Sequence, residues 1–247
     1  MRWNCMFARS LPNVFTIGNL FLGIVSIIFV FNNEPEIAAM LVIVAMLTDG
    51  LDGRVARALN VTSEFGKELD SLSDVISFGV APAFIVYSVA FQDFNSPVSW
   101  IATAVFPICG ALRLARFNVI SGIPGYFIGL PIPVAGGVLA TMALFYKELS
   151  TPLLLIAELI LSYLMVSNIK YPNFKKVRIP RAAMWILPIM VIIAIWVAVL
   201  YPGTLSKLMF IPFVLYALLG LKKNVRRVTR KRKREETDDK PKFGDTL

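Results

Sequence analysis

Histidine is absent from the 247 residues. Its absence excludes Ser-His-Asp triads, histidine general bases and imidazole metal ligands. Cysteine is scarce: Cys5 and Cys109 have no zinc-site spacing and read as free thiols. Charge is thin as well, at 17% of residues, against about 25% in a soluble domain. There is no internal repeat of solenoid length and no stretch that reads as a separate soluble domain. Any catalytic base must therefore be Asp, Glu, Lys or Tyr.

What is present is apolar. Hydrophobic residues make up 57% of the chain and the mean hydropathy is +0.69. Several runs approach the roughly 20 residues that cross a bilayer. The pattern predicts an all-α, polytopic integral membrane protein of about eight spans, near 14–31, 36–56, 68–91, 98–117, 128–146, 150–169, 183–200 and 204–221. Breakers separate several of them: Asn32-Asn33, Asp93, Ser96-Pro97 and Tyr201-Pro202-Gly203. The run Val14–Phe31 is too long for a signal core and lacks a small-x-small cleavage pattern after it, so it reads as the first helix.

Basic residues set the orientation. Of 25 Lys and Arg, Lys147 and Lys207 alone fall on one side, leaving 23 on the other. This asymmetry predicts that both termini and the loops around Lys67 and Lys170–Arg181 are cytoplasmic, in a cell membrane. The division expected is a membrane-embedded domain over 1–221 and a basic, then acidic, cytoplasmic tail over 222–247, its last dozen residues disordered. The basic stretch of the tail either only fixes topology or also holds anionic membrane lipids. No nucleic-acid partner is expected.

Against this background, acids cluster in one window. It runs Asp49-Gly-Leu-Asp52-Gly53-Arg-Val-Ala56-Arg57, then Gly66, Asp70 and Asp74. The flanks, Leu41–Leu47 and Val75–Ala90, are uncharged. Carboxylates at membrane depth require a compensating cation. Asp49 and Asp52 are i,i+3, and Asp70 and Asp74 are i,i+4, so on helices each pair shares a face. Two facing pairs make a hard-oxygen site for divalent metal. Spacing alone also allows an ion-pair network with Arg54, Arg57 and Lys67. Gly53 and Gly66 leave room for a ligand against the backbone, and Gly50 extends that smooth strip or serves helix packing. Arg57 can pair with phosphate through two parallel hydrogen bonds.

The window matches D-x2-D-G-x2-A-R-x8-G-x3-D-x3-D at every fixed position, and so the chain resembles the CDP-alcohol phosphotransferases. The resemblance implies two divalent ions, Mg or Mn, on Asp49, Asp52, Asp70 and Asp74. It implies Asp74 as catalytic base and Gly53, Ala56, Arg57 and Gly66 around a CDP-lipid. It also implies release of CMP, and a homodimer. Three further segments are similar to the membrane-embedded phosphatidylserine synthase branch of that family. They are Pro12–Leu20, Arg113-Leu-Ala-Arg116-Phe117-Asn118 and Phe127–Gly136 with its Gly-Leu-Pro-Ile-Pro core. The implied donor is CDP-diacylglycerol or its archaeal counterpart CDP-archaeol, and the implied acceptor is L-serine.

The residues themselves leave choices open. Arg113 and Arg116, i,i+3 near a cytoplasmic helix end, can take a serine carboxylate, the phosphate of glycerol 3-phosphate or inositol phosphate, or simply the interface. Asn118 and the Ser121–Gly129 loop can cover the acceptor. Asn13 and Thr16 can touch the nucleotide or cap a helix. Glu158, isolated in the sixth predicted span, reads as a packing residue. Acceptors other than serine, choline included, remain rivals within the family. A divalent cation transporter is the rival outside it, and a catalytically silent homologue is a third. The transporter leaves Gly53, Ala56, Arg57 and Gly66 without a purpose.

Overall fold

A computed structural model describes residues 2–58, 63–93, 96–119 and 126–172. The predicted spans 183–200 and 204–221, the 222–247 tail and most of the Lys170–Arg181 loop lie outside these residues. Side chains within 2–12 and 51–58 lie outside as well.

Six helices and a two-stranded ribbon make up the described fold. Helix α1 spans Arg2–Phe31, α2 Pro35–Ala58, α3 Glu64–Phe91 and α4 Ser96–Val119. Strand β1 is Tyr126–Ile128, α5 Ile132–Ala143, α6 Thr151–Val166 and β2 Lys170–Pro172. The fold is mostly helical, as predicted. Within this all-α architecture β1 and β2 form a short antiparallel pair, Phe127 opposite Tyr171. It takes up the end of the segment read from sequence as an acceptor loop.

Among the described residues, three helices are long and apolar enough to cross a membrane: Asn13–Phe31, Glu64–Phe91 and Pro97–Val119. An exposed stripe on α1, Val14, Ile17, Phe21, Ile24 and Ile28, repeats at helical spacing and suits hydrocarbon. Helix α1 begins at Arg2 rather than near residue 14. Helix α2 starts at Pro35, whose missing N–H costs nothing in a first turn.

Helix α3 starts at Ser63, whose hydroxyl accepts the Gly66 N–H at 3.0 Å. It then widens to π-helical turns over Val75–Val80 and again over Tyr87–Phe91. The first widening has a local cause. Pro82 cannot donate to the carbonyl of Phe78, four residues back, and its ring crowds that carbonyl. Gly136 of α5 is seated on this spot: a Cβ there would strike the Phe78 carbonyl oxygen. The bare backbone therefore lets α5 pack close to α3, as small residues do between membrane helices.

Helices α5 and α6 are shorter than the predicted spans 128–146 and 150–169. Pro131 forces Leu130 out of the helical region, and Gly129 takes φ +78°, so α5 cannot begin before Ile132. The carbonyls of α6 and its following turn receive this bend: Leu130 N–H donates to Leu164 O at 3.0 Å, and Gly129 N–H to Ile169 O at 2.8 Å. The core lies between the helices, with Phe78, Phe106, Ile132, Leu139 and Met165 fully buried.

Candidate active site

The site stands where α1, α2 and α4 meet the first half of α3. Helices α1 and α2 run antiparallel, joined by Ser26 Oγ donating to Ala38 O at 2.9 Å. Helices α1 and α3 run in the same direction: Ser73 Oγ donates to Thr16 O at 3.2 Å and Ser77 Oγ to Asn19 O at 2.9 Å. These contacts bring the acidic end of α2 against that of α3.

One carboxylate oxygen each from Asp49, Asp70 and Asp74 lies within 4.8 Å of the others. Asp74 is the deepest, 7% exposed, whereas Asp49 and Asp70 are half-buried. Asp49 and Asp74 are in side-chain hydrogen-bond contact. Asp74 Oδ1 is buried without a hydrogen-bond partner among the described residues. Three carboxylates this close repel unless a cation stands between them. An all-oxygen set of this kind suits Mg or Mn, so these residues fit a divalent ion. Asp52, Gly53, Ala56 and Arg57 lie on the last turns of α2, their side chains outside the described residues.

The candidate ion-pair partner Lys67 turns elsewhere: its Nζ meets Glu64 Oε1 at 2.6 Å on the exposed first turn of α3. Gly66 is packed against α1, since a Cβ there would come 3.1 Å from Asn13 Oδ1. Asn13 and Gly66 are thus brought together, and Thr16 follows, buried, one turn further in. No described atom comes within 4 Å of a Cβ built on Gly50, which is exposed. Among the described residues, no helix packs against that glycine.

The two arginines of α4 part company. Arg113 is 6% exposed, stacks over the Phe117 ring at 5.5 Å and acts electrostatically on Asp74. Arg116 turns to the end of α6. Its Nη1 donates to Val166 O at 2.9 Å and Asn168 Oδ1 at 3.3 Å. Its Nη2 reaches Ser167 O at 3.1 Å, Ile128 O at 3.3 Å and Met165 O at 3.4 Å. Carbonyls left over at a helix C-terminus attract a cation, and Arg116 meets that need. Asn118 Nδ2 donates to Ser71 Oγ at 3.1 Å, tying the end of α4 beside Asp70.

Sequence reasoning gave no role to Asn19, Ser73 or Ser77. The available signal was periodicity: Asn13, Thr16 and Asn19 repeat every three residues where α1 turns mainly apolar. Glu158 is fully buried, and neither carboxyl oxygen has a hydrogen-bond partner among the described residues.

Comparison with known proteins places this geometry. Residues 9–200 match the family model described as CDP-alcohol phosphatidyltransferase. The chain belongs to the CDP-alcohol phosphatidyltransferase family. Relatives in this family include the CDP-diacylglycerol–serine O-phosphatidyltransferase of Helicobacter pylori strain ATCC 700392 / 26695. It is 40% identical over 205 residues, covering 80% of this chain and 84% of the relative. The enzyme of the same name from Bacillus subtilis strain 168 is 41% identical over 167 residues, 67% of this chain and 92% of the relative. The archaetidylserine synthase of Methanothermobacter thermautotrophicus is 43% identical over 168 residues, 66% of this chain and 70% of the relative. The match takes in α2 and α3, which carry the acid cluster, and among the described residues that cluster is the group of acids that could hold a metal ion.

Proposed function

We propose that this protein is a phosphatidylserine synthase, transferring the phosphatidyl group of a CDP-lipid to the hydroxyl of L-serine and releasing CMP. The observation that carries this reading is the convergence of Asp49, Asp70 and Asp74, with buried Arg113 acting electrostatically on Asp74, in a chain similar to enzymes named for that reaction. Two divalent ions on Asp49, Asp52, Asp70 and Asp74 would offset the pyrophosphate charge and stabilise the attacking and leaving oxygens.

The chain's own residues do the rest. Arg57 pairs with a phosphate, and Gly53, Ala56, Gly66, Asn13 and Thr16 shape the CDP side. Arg113 holds the serine carboxylate through charge-assisted hydrogen bonds. Asp74 accepts the proton of the serine hydroxyl. The serine oxygen forms a bond to the lipid-side phosphorus as the bond to the CMP oxygen breaks, giving phosphatidylserine and CMP. Arg116 is assigned to holding α6 and the ribbon, and Asn118 to holding α4 on α3 beside the acceptor.

The setting proposed is a cell membrane with eight spans over residues 1–221, both termini and the site cytoplasmic, and 222–247 a basic, then acidic, cytoplasmic tail. The assembly proposed is a homodimer. Identity to the archaetidylserine synthase favours CDP-archaeol as a second donor.

The test is CMP release from purified protein given Mg or Mn, CDP-diacylglycerol or CDP-archaeol, and one acceptor at a time. Serine should support release; glycerol 3-phosphate, inositol phosphate and choline should not. Release with another acceptor and none with serine would overturn the serine assignment. Divalent ion uptake into liposomes without CDP-lipid would instead favour a transporter.

A further inference from the structure

Asn19 is fully buried, and neither its Oδ1 nor its Nδ2 has a hydrogen-bond partner among the described residues. An amide holds two donors and an acceptor, and leaving them unpaired in an apolar helix is costly. Each such buried group calls for an account, and one account is a partner that arrives with a ligand.

The position relative to α3 bears on the ligand. Its backbone carbonyl accepts from Ser77 Oγ at 2.9 Å, and Thr16 O accepts from Ser73 Oγ at 3.2 Å. Asp74 lies between those two serines in sequence. Side chains on a helix lean toward its N-terminus, so the Asn19 amide leans from the Ser77 level toward that of Ser73 and Asp74. On α2, counting two turns from the Ser26–Ala38 contact sets Ala45 opposite Asn19, and Asp49 comes one turn nearer the cytoplasmic end. Asn19 is therefore on the stretch of α1 that faces Ser73 and Ser77, one turn deeper than Asp49. Helix α3 packs between α1 and α4, so Asn19 approaches the cluster from the helix of Asn13 and Thr16, not from that of Arg113.

We infer that Asn19 is a donor-binding residue, its Nδ2 donating to a non-bridging oxygen of the CDP-lipid phosphates. This rests on the reaction proposed above. A neutral donor suits the place: lysine or arginine there would be captured by the three carboxylates and displace the ions they hold. An aspartate would add a fourth like charge facing the phosphates.

The experiment measures binding of CDP-diacylglycerol and of CMP with Mg by calorimetry, without acceptor, in purified Asn19→Ala and Asn19→Asp. Serine KM and Tm are recorded beside it. Loss of one hydrogen bond to a charged group should weaken CDP-diacylglycerol about ten- to hundredfold in Asn19→Ala, with serine KM within about twofold. Asn19→Asp, of the same size, should bind neither probe measurably. Wild-type donor affinity in both variants would overturn the inference, as would a raised serine KM with unchanged donor binding. If Asn19→Ala does not fold, Asn19→Ser, which keeps a donor, takes its place, and misfolding of both would mark a structural amide and also overturn it. Wild type separates the two claims: donor binding without serine turnover defeats the serine reading and leaves Asn19 standing.

Discussion

Arg116 Nη1 donates a 2.9 Å hydrogen bond to the carbonyl oxygen of Val166, fifty residues along the chain. With the neighbouring contacts to Met165, Ser167 and Ile128, it joins α4, the end of α6 and strand β1. Gly129 completes this junction: at φ +78°, a Cβ on it would lie 2.9 Å from Arg116 Nη2 and would strike the Met165 carbonyl.

Arg116→Ala should therefore act on stability. Several carbonyls lose their donor together, and a hydrogen bond to a charged group contributes about 1.5–3 kcal/mol. A drop in Tm is expected in detergent, together with a smaller change in serine KM than at Arg113. Arg116→Lys, with one ammonium in place of the fork, should recover only part of the loss. Gly129→Ala should destabilise through the same junction. A raised serine KM at unchanged Tm would make Arg116 an acceptor ligand instead.

Arg113 should show the opposite behaviour. Arg113→Gln removes the charge beside Asp74, and serine KM should rise about ten- to hundredfold, with CDP-lipid affinity changing much less. Serinol keeps the hydroxyl and amine of serine without the carboxylate. Wild type should use it poorly, and the variant should scarcely distinguish the two. Lost donor affinity with unchanged serine KM would move Arg113 to the pyrophosphate.

Asp49→Asn and Asp70→Asn should abolish transfer while leaving the protein folded, because each removes a carboxylate that would hold the divalent ions offsetting the phosphate charge. Chelator should silence wild type, and Mg or Mn should restore it. Transfer at full rate after metal stripping, with chelator present, would rule out the metal-assisted reaction.

The basic asymmetry fixes a labelling pattern. In a background lacking Cys5 and Cys109, cysteines placed at Asn33, Asp93 and Lys147 should react with an impermeant reagent added outside intact cells. A cysteine at Lys67 should react only after the membrane is opened. One reversed position would mean a miscounted helix.

The acid cluster was legible in the chain because its members pair up closely in sequence. Asp49 and Asp52 are one turn apart, as are Asp70 and Asp74, so helical periodicity alone puts each pair on a face. The length of apolar runs likewise located α1 to α4 to within a few residues, apart from the early start of α1. Tertiary structure decided the rest. Arg113 and Arg116 are also one turn apart, about 60° around the helix, and sequence treats them alike. Only the tertiary packing buries one of them over Phe117, within electrostatic reach of Asp74, and sends the other to Val166 at the end of α6. The start of α5 was missed because an apolar run does not reveal where Pro131 and Gly129 must bend it. Asn19 acquired a reading only when α2 and α3 closed over it, since a polar residue in an apolar helix becomes costly, and so informative, once its surroundings exclude water.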